Sequence, residues 1–360
     1  MNFVDSNYLE LLKDILNNGS YKKTRSGAVY SVFDRNLKFN LNNGFPLLTT
    51  KKMYTRAVIH ELLWFLKGET NIKYLLENNV HIWDGDAYRY YKELVNKSNV
   101  VRVEEGIKYG DEIYSEEKFK DFVITGCSTY LYRRNKENKV EVFKYTFGDL
   151  GDVYGKQWRN FGFSGKDQIK EIIDTLKSNP NDRRMLCIAY NPDVLDDVAL
   201  PPCHILFQFY ARPLDNNERL FWLQNNSDGA YDEYKTLSSD RLDSLKVPKY
   251  ELSLKWIQRS VDTFLGLPFN ITSYSLLLSM IAQCVGMTVG TVSCSLGDCH
   301  IYEAHIDAVN EQLKRYPLKY SLPKLKLNPS IKDIDDFKIN DIEIIDYESY
   351  PSLKAPLCVG

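Results

Sequence analysis

The strongest local constraint on how this chain can fold lies at residues 200–204, where two prolines come directly before a cysteine. In Leu200-Pro201-Pro202-Cys203-His204 each proline fixes its own φ and removes a backbone donor, so the preceding segment ends there and Cys203 is held in one place. The next residues, Ile205-Leu206-Phe207-Gln208-Phe209-Tyr210, are typical of a buried strand. A cysteine at the start of a strand beside a histidine is a candidate nucleophile, although most intracellular cysteines are simply small buried hydrophobic residues. This pattern alone leaves both interpretations open.

Composition favours a large folded protein without a generally basic surface. The chain has 360 residues, of which 44% are hydrophobic and 26% charged, enough to fill a sizeable core. Its formal net charge of -2 argues against nucleic acid or an anionic membrane as a standing partner. Any bound phosphate must then be contacted by a local group of arginines.

Cysteine usage and the first residues favour the cytoplasm. The segment 1–6 has neither the basic nor the apolar region of a signal peptide, and no run of about 18 apolar residues predicts a membrane span. The 7 cysteines include no CxxC pair, so neither a disulfide framework nor a zinc site is expected. The sequence therefore predicts a cytoplasmic protein without a metal.

Two stretches interrupt the alternation of helix-like and strand-like segments. Residues 92–146 are rich in charge and contain the strand-like runs Phe122-Val123-Ile124-Thr125 and Val140-Glu141-Val142-Phe143; they are interpreted as an inserted surface subdomain. Residues 212–248, with an Asn-rich stretch at 225–229, are loop-like and are interpreted as a second insertion. We therefore predict a single large domain over residues 1–360 with two insertions.

Other candidate functional residues lie where polar groups meet apolar surroundings or the ends of elements. Glu61 stands beside a run of apolar residues, where burial would raise the pKa of its carboxyl group to a range that suits proton transfer, although an exposed glutamate on a helix edge is the commoner case. His60-Glu61 lacks the second histidine of an HExxH motif, because Trp64 stands at the fifth position. The adjacent Arg183 and Arg184 precede a strand and are either an exposed rim or an anion clamp across a subunit boundary.

Taken in order, these segments resemble the folate-dependent thymidylate synthase family. The matching segments are GFPLLTTKK at 44–52, HELLWFLKG at 60–68, IWD at 82–84, VYGKQWR at 153–159, DRR at 182–184, PCH at 202–204, QRS at 258–260, LGLPFN at 265–270, GDCHIY at 297–302 and KAP at 354–356. They span nearly the whole chain apart from the two insertions, and a chance match of so many motifs in one order is implausible. The resemblance implies an α/β (α+β) fold, with a mixed sheet backed by helices, in a dimer whose sheets pack face to face.

The resemblance also implies a reaction, the reductive methylation of dUMP to dTMP with 5,10-methylenetetrahydrofolate as cosubstrate. Carbon 5 of uracil is not nucleophilic, so Cys203 would add at carbon 6 to form an enolate, with Arg259 as the cation that favours the thiolate. Glu61 and Tyr154 would relay protons. Asn270 would pair with N3–H and O4 of uracil; related cytosine-specific hydroxymethylases carry an aspartate there, so Asn270 points to dUMP and not to dCMP.

The binding residues that the resemblance implies form two groups. The dUMP phosphate would be clamped by arginines and a serine, two of the arginines coming from the partner subunit, and the sugar 3′-hydroxyl by a histidine and a tyrosine. This group comprises Arg25, Arg259, Ser260, Arg183 and Arg184 of the phosphate clamp, His300 and Tyr302 at the sugar, and Gln258, Asp262 and Asn270 beside them. The folate group comprises Lys51 near the glutamyl tail, Ile82, Trp83, Asp262, Leu265 and Phe269, with the C-terminal segment closing over them.

Two alternatives stay open beside the synthase. A dUMP hydroxymethylase would use the same Cys203 and Asn270 but let water attack in place of hydride. A non-catalytic nucleotide- or RNA-binding protein is disfavoured, because Cys203, Glu61 and Tyr154 occur together. Trp83 and the tail at 354–359 favour the exclusion of water, whereas Gly360 follows Val359 where many family members end in a Val or Ile carboxylate, so the lid is expected to differ in detail.

Overall fold

Helices and strands account for most of the chain in the computed structural model, which describes residues 2–104, 112–135, 137–226, 237–316 and 318–358. The α-helices are α1 Phe3–Asn18, α2 Thr55–Leu66, α3 Lys73–Glu77, α4 Asp84–Glu104, α5 Glu116–Thr125, α6 Tyr154–Arg159, α7 Gln168–Ser178, α8 Asn216–Asn226, α9 Ser239–Ser244, α10 Gly266–Val285 and α11 Ile306–Leu313. The strands are β1 Ser20–Thr24, β2 Gly27–Asn40, β3 Ser128–Arg134, β4 Val140–Thr146, β5 Leu186–Ile188, β6 His204–Pro213, β7 Tyr250–Asp262, β8 Thr288–Tyr302, β9 Lys324–Leu327 and β10 Ile342–Ile345.

The central element is a six-stranded sheet in the order β1-β2-β8-β7-β6-β5. Its neighbouring strands are antiparallel except for the parallel pair β7 and β8. Those two strands run parallel because α10 forms the crossover between them, and a parallel pair cannot be joined by a tight hairpin. The predicted mixed sheet backed by helices is therefore confirmed.

Helices cover one face of this sheet, and in the single chain the other face is left uncovered. Burial alternates along β7, and α10, which is buried along most of its length, packs against β7, β8 and α2. On the opposite face, Tyr210 of β6 is 63% exposed and Leu186 of β5 is 37% exposed. Two large apolar side chains at this face are unusual for a surface that meets only water.

The first insertion packs against the main core, and one of its two predicted strands is a helix. Helix α4 runs through residue 92 without a break, and Phe119, Leu131 and Tyr145 are buried in the same apolar cluster as the rest of the chain. The predicted strand at 140–143 lies within β4, but the predicted strand at 122–125 is wrong, because these residues form the end of α5. Phe119, Phe122 and Val123 recur at helical spacing, and Ser115 caps the helix.

The second insertion contains two helices, so the loop interpretation of 212–248 is wrong for its described parts. Residues 227–236 lie outside the described residues, and α8 and α9 flank them. Leu223, Leu242 and Val247 form a small apolar cluster separate from the main core. Arg219, which is 3% exposed, joins the two helices through its bonds to Asp243 Oδ1 (2.6 Å) and the Val247 carbonyl (3.1 Å).

Candidate active site

Cys203 sits at the start of β6 and is held by its main chain. Its N–H donates to the Tyr154 hydroxyl over 2.7 Å, and its carbonyl accepts from the Arg259 N–H over 2.8 Å. The Arg259 guanidinium donates in turn to the carbonyls of Pro201 (2.7 Å from Nη2) and Pro202 (2.9 Å from Nε). The two prolines thus position the cysteine and also anchor the cation expected beside it.

Burial and charge act in opposite directions on the Cys203 thiol. Burial raises its pKa above the ordinary value, while the positive charge of Arg259 and a hydrogen bond to Tyr154 lower it. The net shift is upward. The resting thiol is therefore protonated, and Arg259 moderates the effect of burial without reversing it.

The histidine next to the nucleophile is a packing residue and not a base. The His204 ring stacks on Tyr154 with centroids 4.2 Å apart, and its Nδ1 lies 2.7 Å from the Tyr274 hydroxyl. Burial lowers the pKa of His204 to about 3, so the ring is neutral at physiological pH. Burial also raises the pKa of Tyr154 well above its ordinary range, which leaves its hydroxyl protonated and able to donate after accepting from Cys203.

Glu61 reaches this cluster through Trp83. The Trp83 indole N–H donates to Glu61 Oε1 over 2.8 Å, and its ring lies 6.0 Å from that of Tyr154. Burial raises the pKa of Glu61 to about 7, outweighing the hydrogen bond, which lowers it. Near neutrality this carboxyl group can therefore both accept and donate a proton.

We expect Glu61→Gln to stabilise the fold at pH 9 and to change its stability little at pH 4. The folded protein releases the Glu61 proton near pH 7, whereas an ordinary glutamate releases it near 4.5, so the folded state loses stability as pH rises through this window. A neutral amide removes that loss. Urea unfolding should give a gain of about 3 kcal/mol at pH 9. The exposed Glu10→Gln serves as the control, and an equal effect of Glu61→Gln at both pH values would contradict the prediction.

A hydrogen-bond network fixes which way the Asn270 amide points. The Gln258 carbonyl oxygen accepts from the Trp256 indole N–H (3.1 Å), and its amide donates to the Ser260 carbonyl (3.0 Å), so this buried side chain can adopt only one orientation. Asn270 donates from Nδ2 to the same Gln258 oxygen over 2.9 Å. Its Oδ1 and its second amide hydrogen are left for a ligand, as one acceptor and one donor.

The side chains predicted to bind the sugar lie at the adjoining ends of β7 and β8. Ser260 is in register with Asp298, and Asp262 is in register with His300, whose Nδ1 lies 3.2 Å from Asp298 Oδ1. The rings of His300 and Tyr302 meet edge to face at 5.1 Å. Burial raises the pKa of Tyr302 to about 12, with Asp262 acting in the same direction.

The three predicted phosphate-binding arginines outside this cluster are exposed. Arg25 lies in the turn between β1 and β2; its neighbour Ser26 bonds to the Tyr302 side chain, which places this turn beside the sugar residues. Arg183 and Arg184 lie just before β5, where Arg184 is paired with Asp182 over 2.8 Å. Within the described residues of one chain, no hydrogen bond connects the side chains of Arg183 and Arg184 to the cluster around Cys203.

The residues predicted to bind folate lie in two adjoining loops and a helix start. Ile82 and Trp83 precede α4, while Leu265 and Phe269 lie at the beginning of α10. Asp262 Oδ1 accepts from the N–H groups of Phe264 (3.1 Å) and Leu265 (3.0 Å) and so shapes the connection between β7 and α10.

Lys51 has a different environment from the one that a contact with the glutamyl tail suggests. Its ammonium group donates to the Phe264 carbonyl and lies 3.7 Å from the centroid of the Phe264 ring. Only 5% of the residue is exposed, and burial lowers its pKa to about 7. Contact of Lys51 with folate stays a prediction.

Sequence reasoning missed the residues that hold the loop before Cys203. Arg89 Nη2 donates to the Ala199 carbonyl over 2.6 Å, and the Tyr90 hydroxyl donates to the Asp197 carbonyl over 2.8 Å. Arg89 also pairs with Asp86 and Glu93 on α4. Charges at this spacing are typical of a solvated helix face, so the sequence carried no signal of the tertiary contact.

A large cavity lies away from the predicted site residues. A cavity of about 730 Å³ between segment 41–45, Trp222 and the beginning of β8 contains none of the predicted site residues. Within the described ranges, no group of three or more His, Cys, Asp or Glu side chains could hold a metal ion. None of the described helices is long and apolar enough to cross a membrane.

A cysteine, a buried acid and an oriented amide lie around one end of the mixed sheet, a set of groups that suits a methyltransferase acting on a pyrimidine nucleotide. The sequence model of the family described as Thymidylate synthase matches residues 6–359. The chain belongs to the thymidylate synthase family.

Individual relatives agree over nearly the full length. The thymidylate synthase of Mycoplasma mobile is 42% identical over 353 residues, which is 98% of this chain and 99% of that protein. Those of Malacoplasma penetrans and Aster yellows witches'-broom phytoplasma are 41% and 40% identical, with the same coverage. The activity is therefore the methylation of dUMP to dTMP with methylenetetrahydrofolate as cosubstrate, the first of the three functions considered from the sequence.

Proposed function

We propose that Cys203 performs this reaction as the nucleophile that adds to carbon 6 of dUMP. The observation that carries the assignment is the way the residue is held: Tyr154 and Arg259 fix its main chain on both sides, so the thiol is presented at one place in the site. Addition forms the Cys203 Sγ–C6 bond and moves the C5–C6 electron pair into an enolate. The thiol gives its proton to water in this step and regains one when the Sγ–C6 bond breaks at product release, and Arg259 stabilises the thiolate.

Proton transfer is assigned to Glu61 and Tyr154. Glu61, with its pKa raised to about 7, can take up a proton released at carbon 5 and return it in the next cycle. Tyr154 lies between Trp83, which holds Glu61, and the main chain of Cys203, so it connects the acid to the nucleophile.

The base and the sugar are assigned to residues of β7, α10 and β8. The free acceptor and donor of Asn270 match uracil N3–H and O4, and Gln258 keeps them in that arrangement. His300 and Tyr302 are placed together for the sugar hydroxyl. Ser260, Arg259 and Arg25 are assigned to the phosphate.

The folate site is assigned to Trp83, Asp262, Leu265 and Phe269, with Ile82 and Lys51 at its edge. When bound, 5,10-methylenetetrahydrofolate supplies the one-carbon unit and the hydride. The apolar side chains would exclude water from the reacting carbon, and this exclusion separates methylation from hydroxymethylation. The C-terminal residues Val359 and Gly360, whose effect on the lid was left open, lie outside the described residues.

We propose that the protein works as a homodimer in which Arg183 and Arg184 enter the partner's phosphate site. The uncovered sheet face with Tyr210 and Leu186 supports face-to-face pairing, and the exposed arginines beside β5 are at the edge of that sheet.

We also assign the protein to the cytoplasm, because all 7 cysteines are free and Cys203 must stay reduced to act. Residues 92–146 and 212–248 are assigned as insertions in a single domain.

Identification of the products tests the proposed chemistry. Incubation with dUMP and methylenetetrahydrofolate should give dTMP and dihydrofolate in equal amounts, measured by mass spectrometry. The formation of 5-hydroxymethyl-dUMP with tetrahydrofolate would instead show that water attacks and would overturn the proposal.

Mixing two inactive variants should restore activity if the arginines cross the interface. We expect Cys203→Ser and the double variant Arg183→Ala/Arg184→Ala each to be inactive as homodimers. After subunit exchange at equal concentrations, half of the dimers contain one intact site, so about a quarter of the wild-type rate should return. Mixing Cys203→Ser with Arg259→Ala, both changed on the same side of the interface, leaves no intact site in any dimer and should stay inactive. Native mass spectrometry of the mixed dimers checks that subunits have exchanged. Arginine variants that stay inactive in the mixture although mixed dimers have formed would contradict the crossed arrangement.

A further inference from the structure

His305, at the beginning of α11, is a completely buried residue that touches both the C-terminal segment and the candidate site. Its Nε2 lies 2.8 Å from the carbonyl oxygen of Pro356. Because a carbonyl can only accept, Nε2 must carry the hydrogen, and in the neutral ring Nδ1 therefore carries a lone pair. This contact assigns the Nε2–H tautomer to His305 and fixes which ring nitrogen faces Pro356.

The other side of the same ring faces residues assigned to nucleotide and folate binding. The ring centroids of His305 and Tyr302 are 5.3 Å apart, and those of His305 and Phe264 are 5.5 Å apart. Nδ1 has no hydrogen-bond partner and lies 3.9 Å from Asp262 Oδ1. The ring therefore packs between the C-terminal segment and the residues Asp262 and Tyr302.

Leu353 and Ala355 of the C-terminal segment pack against the main core, while its hydrogen bonds near the site are made to one residue. Farther from the end, Arg315 donates to the Pro351 carbonyl (2.7 Å) and the Tyr350 N–H donates to the Thr49 carbonyl (2.8 Å). Across the described residues 352–358, the hydrogen bonds to the rest of the protein all involve His305 Nε2, which donates to the Pro356 carbonyl and lies 3.8 Å from Cys358 Sγ.

We propose that His305 is a positioning residue that fixes Pro356 beside Asp262 and Tyr302 and so prepares the C-terminal segment to cover bound folate. This inference rests on the proposed placement of folate next to Asp262. With the bond intact, the stretch from Pro351 to Pro356 is tied at both ends. Without it, folate binding must also supply the free energy that is needed to order that stretch, so binding becomes weaker.

The expected effect is selective for folate. Removing the bond should raise the KM for methylenetetrahydrofolate about tenfold, because the segment must be ordered anew at each binding event. The KM for dUMP should change less than twofold. The rate of dehalogenation of 5-bromo-dUMP, which needs no folate, should also stay within twofold of wild type. In that reaction the thiol of Cys203 adds at carbon 6, and dithiothreitol removes the bromine as carbon 5 is protonated. The products are dUMP, bromide and oxidised dithiothreitol.

The test compares three variants with wild type in both assays. His305→Leu removes the donor and should show the folate effect. His305→Gln keeps an amide donor and should recover a KM for folate within about threefold of wild type. Ser352→Ala, an exposed change in the same segment, should leave every constant unchanged. If His305→Leu does not fold, His305→Asn tests the same bond, since its shorter amide cannot span the distance to Pro356.

The outcomes separate this inference from the proposed function. An unchanged KM for folate in His305→Leu, or an equal loss of dehalogenation and methylation, would overturn the positioning role. Wild-type protein that dehalogenates 5-bromo-dUMP but forms no dTMP would overturn the proposed function instead.

Discussion

Replacing Cys203 by serine should reduce dTMP formation by about 10⁴-fold or more while dUMP still binds. A serine hydroxyl is far less acidic than a thiol, and Arg259 already fails to offset the effect of burial on Cys203 itself. The contacts that hold this position come from the N–H and carbonyl groups, which serine retains. Steady-state turnover and calorimetric titration with dUMP measure the two quantities separately.

The matched control for this substitution is Cys127→Ser, which makes the same atomic change at a half-buried cysteine of the first insertion. It should keep the wild-type rate. Turnover that survives in Cys203→Ser, or loss of dUMP binding in parallel with the rate, would contradict a covalent role for Cys203.

The parts of the site that the sequence could predict are those governed by short-range geometry. Pro201 and Pro202 constrain Cys203 within the same few residues, and the apolar neighbours of Glu61 belong to its own helix, so the elevated pKa of that carboxyl group could be expected. In these two cases chain neighbours are also spatial neighbours. The mixed sheet was expected only from the resemblance to a known family, because its strand pairs, such as β2 with β8, join distant segments.

Other features depend on partners that are distant in sequence or on a balance of opposing effects. Lys51 turns toward the Phe264 carbonyl, 213 positions away, and no local pattern encodes that contact. The direction of the Cys203 pKa shift depends on how far burial outweighs Arg259. In α8 the Asn-rich sequence concealed a helix that Arg219 stabilises through contacts in a later segment.

Changing Asn270 to aspartate should lower kcat/KM for dUMP by about 10⁴-fold and yield only a weak dCMP enzyme. Trp256 and Ser260 fix the Gln258 oxygen toward position 270, so a carboxylate oxygen there would face another acceptor. If the introduced aspartate is protonated, its one hydrogen can be donated to the Gln258 oxygen. Cytosine N3 also needs a hydrogen-bond donor, and the same hydrogen cannot be donated to both. Turnover of dCMP should therefore stay at least tenfold below wild-type turnover of dUMP.

Removing the opposing oxygen separates the two demands on that proton. In the double variant Asn270→Asp/Gln258→Met, the acid no longer faces an acceptor, so its proton is free for cytosine N3 and dCMP turnover should rise above that of the single variant. Because the protonated acid is the active form, this activity should fall as pH rises. Asn270→Leu, which offers neither donor nor acceptor, should lose dUMP activity without preferring dCMP. A double variant no better than Asn270→Asp would show that Gln258 does not set the choice of base.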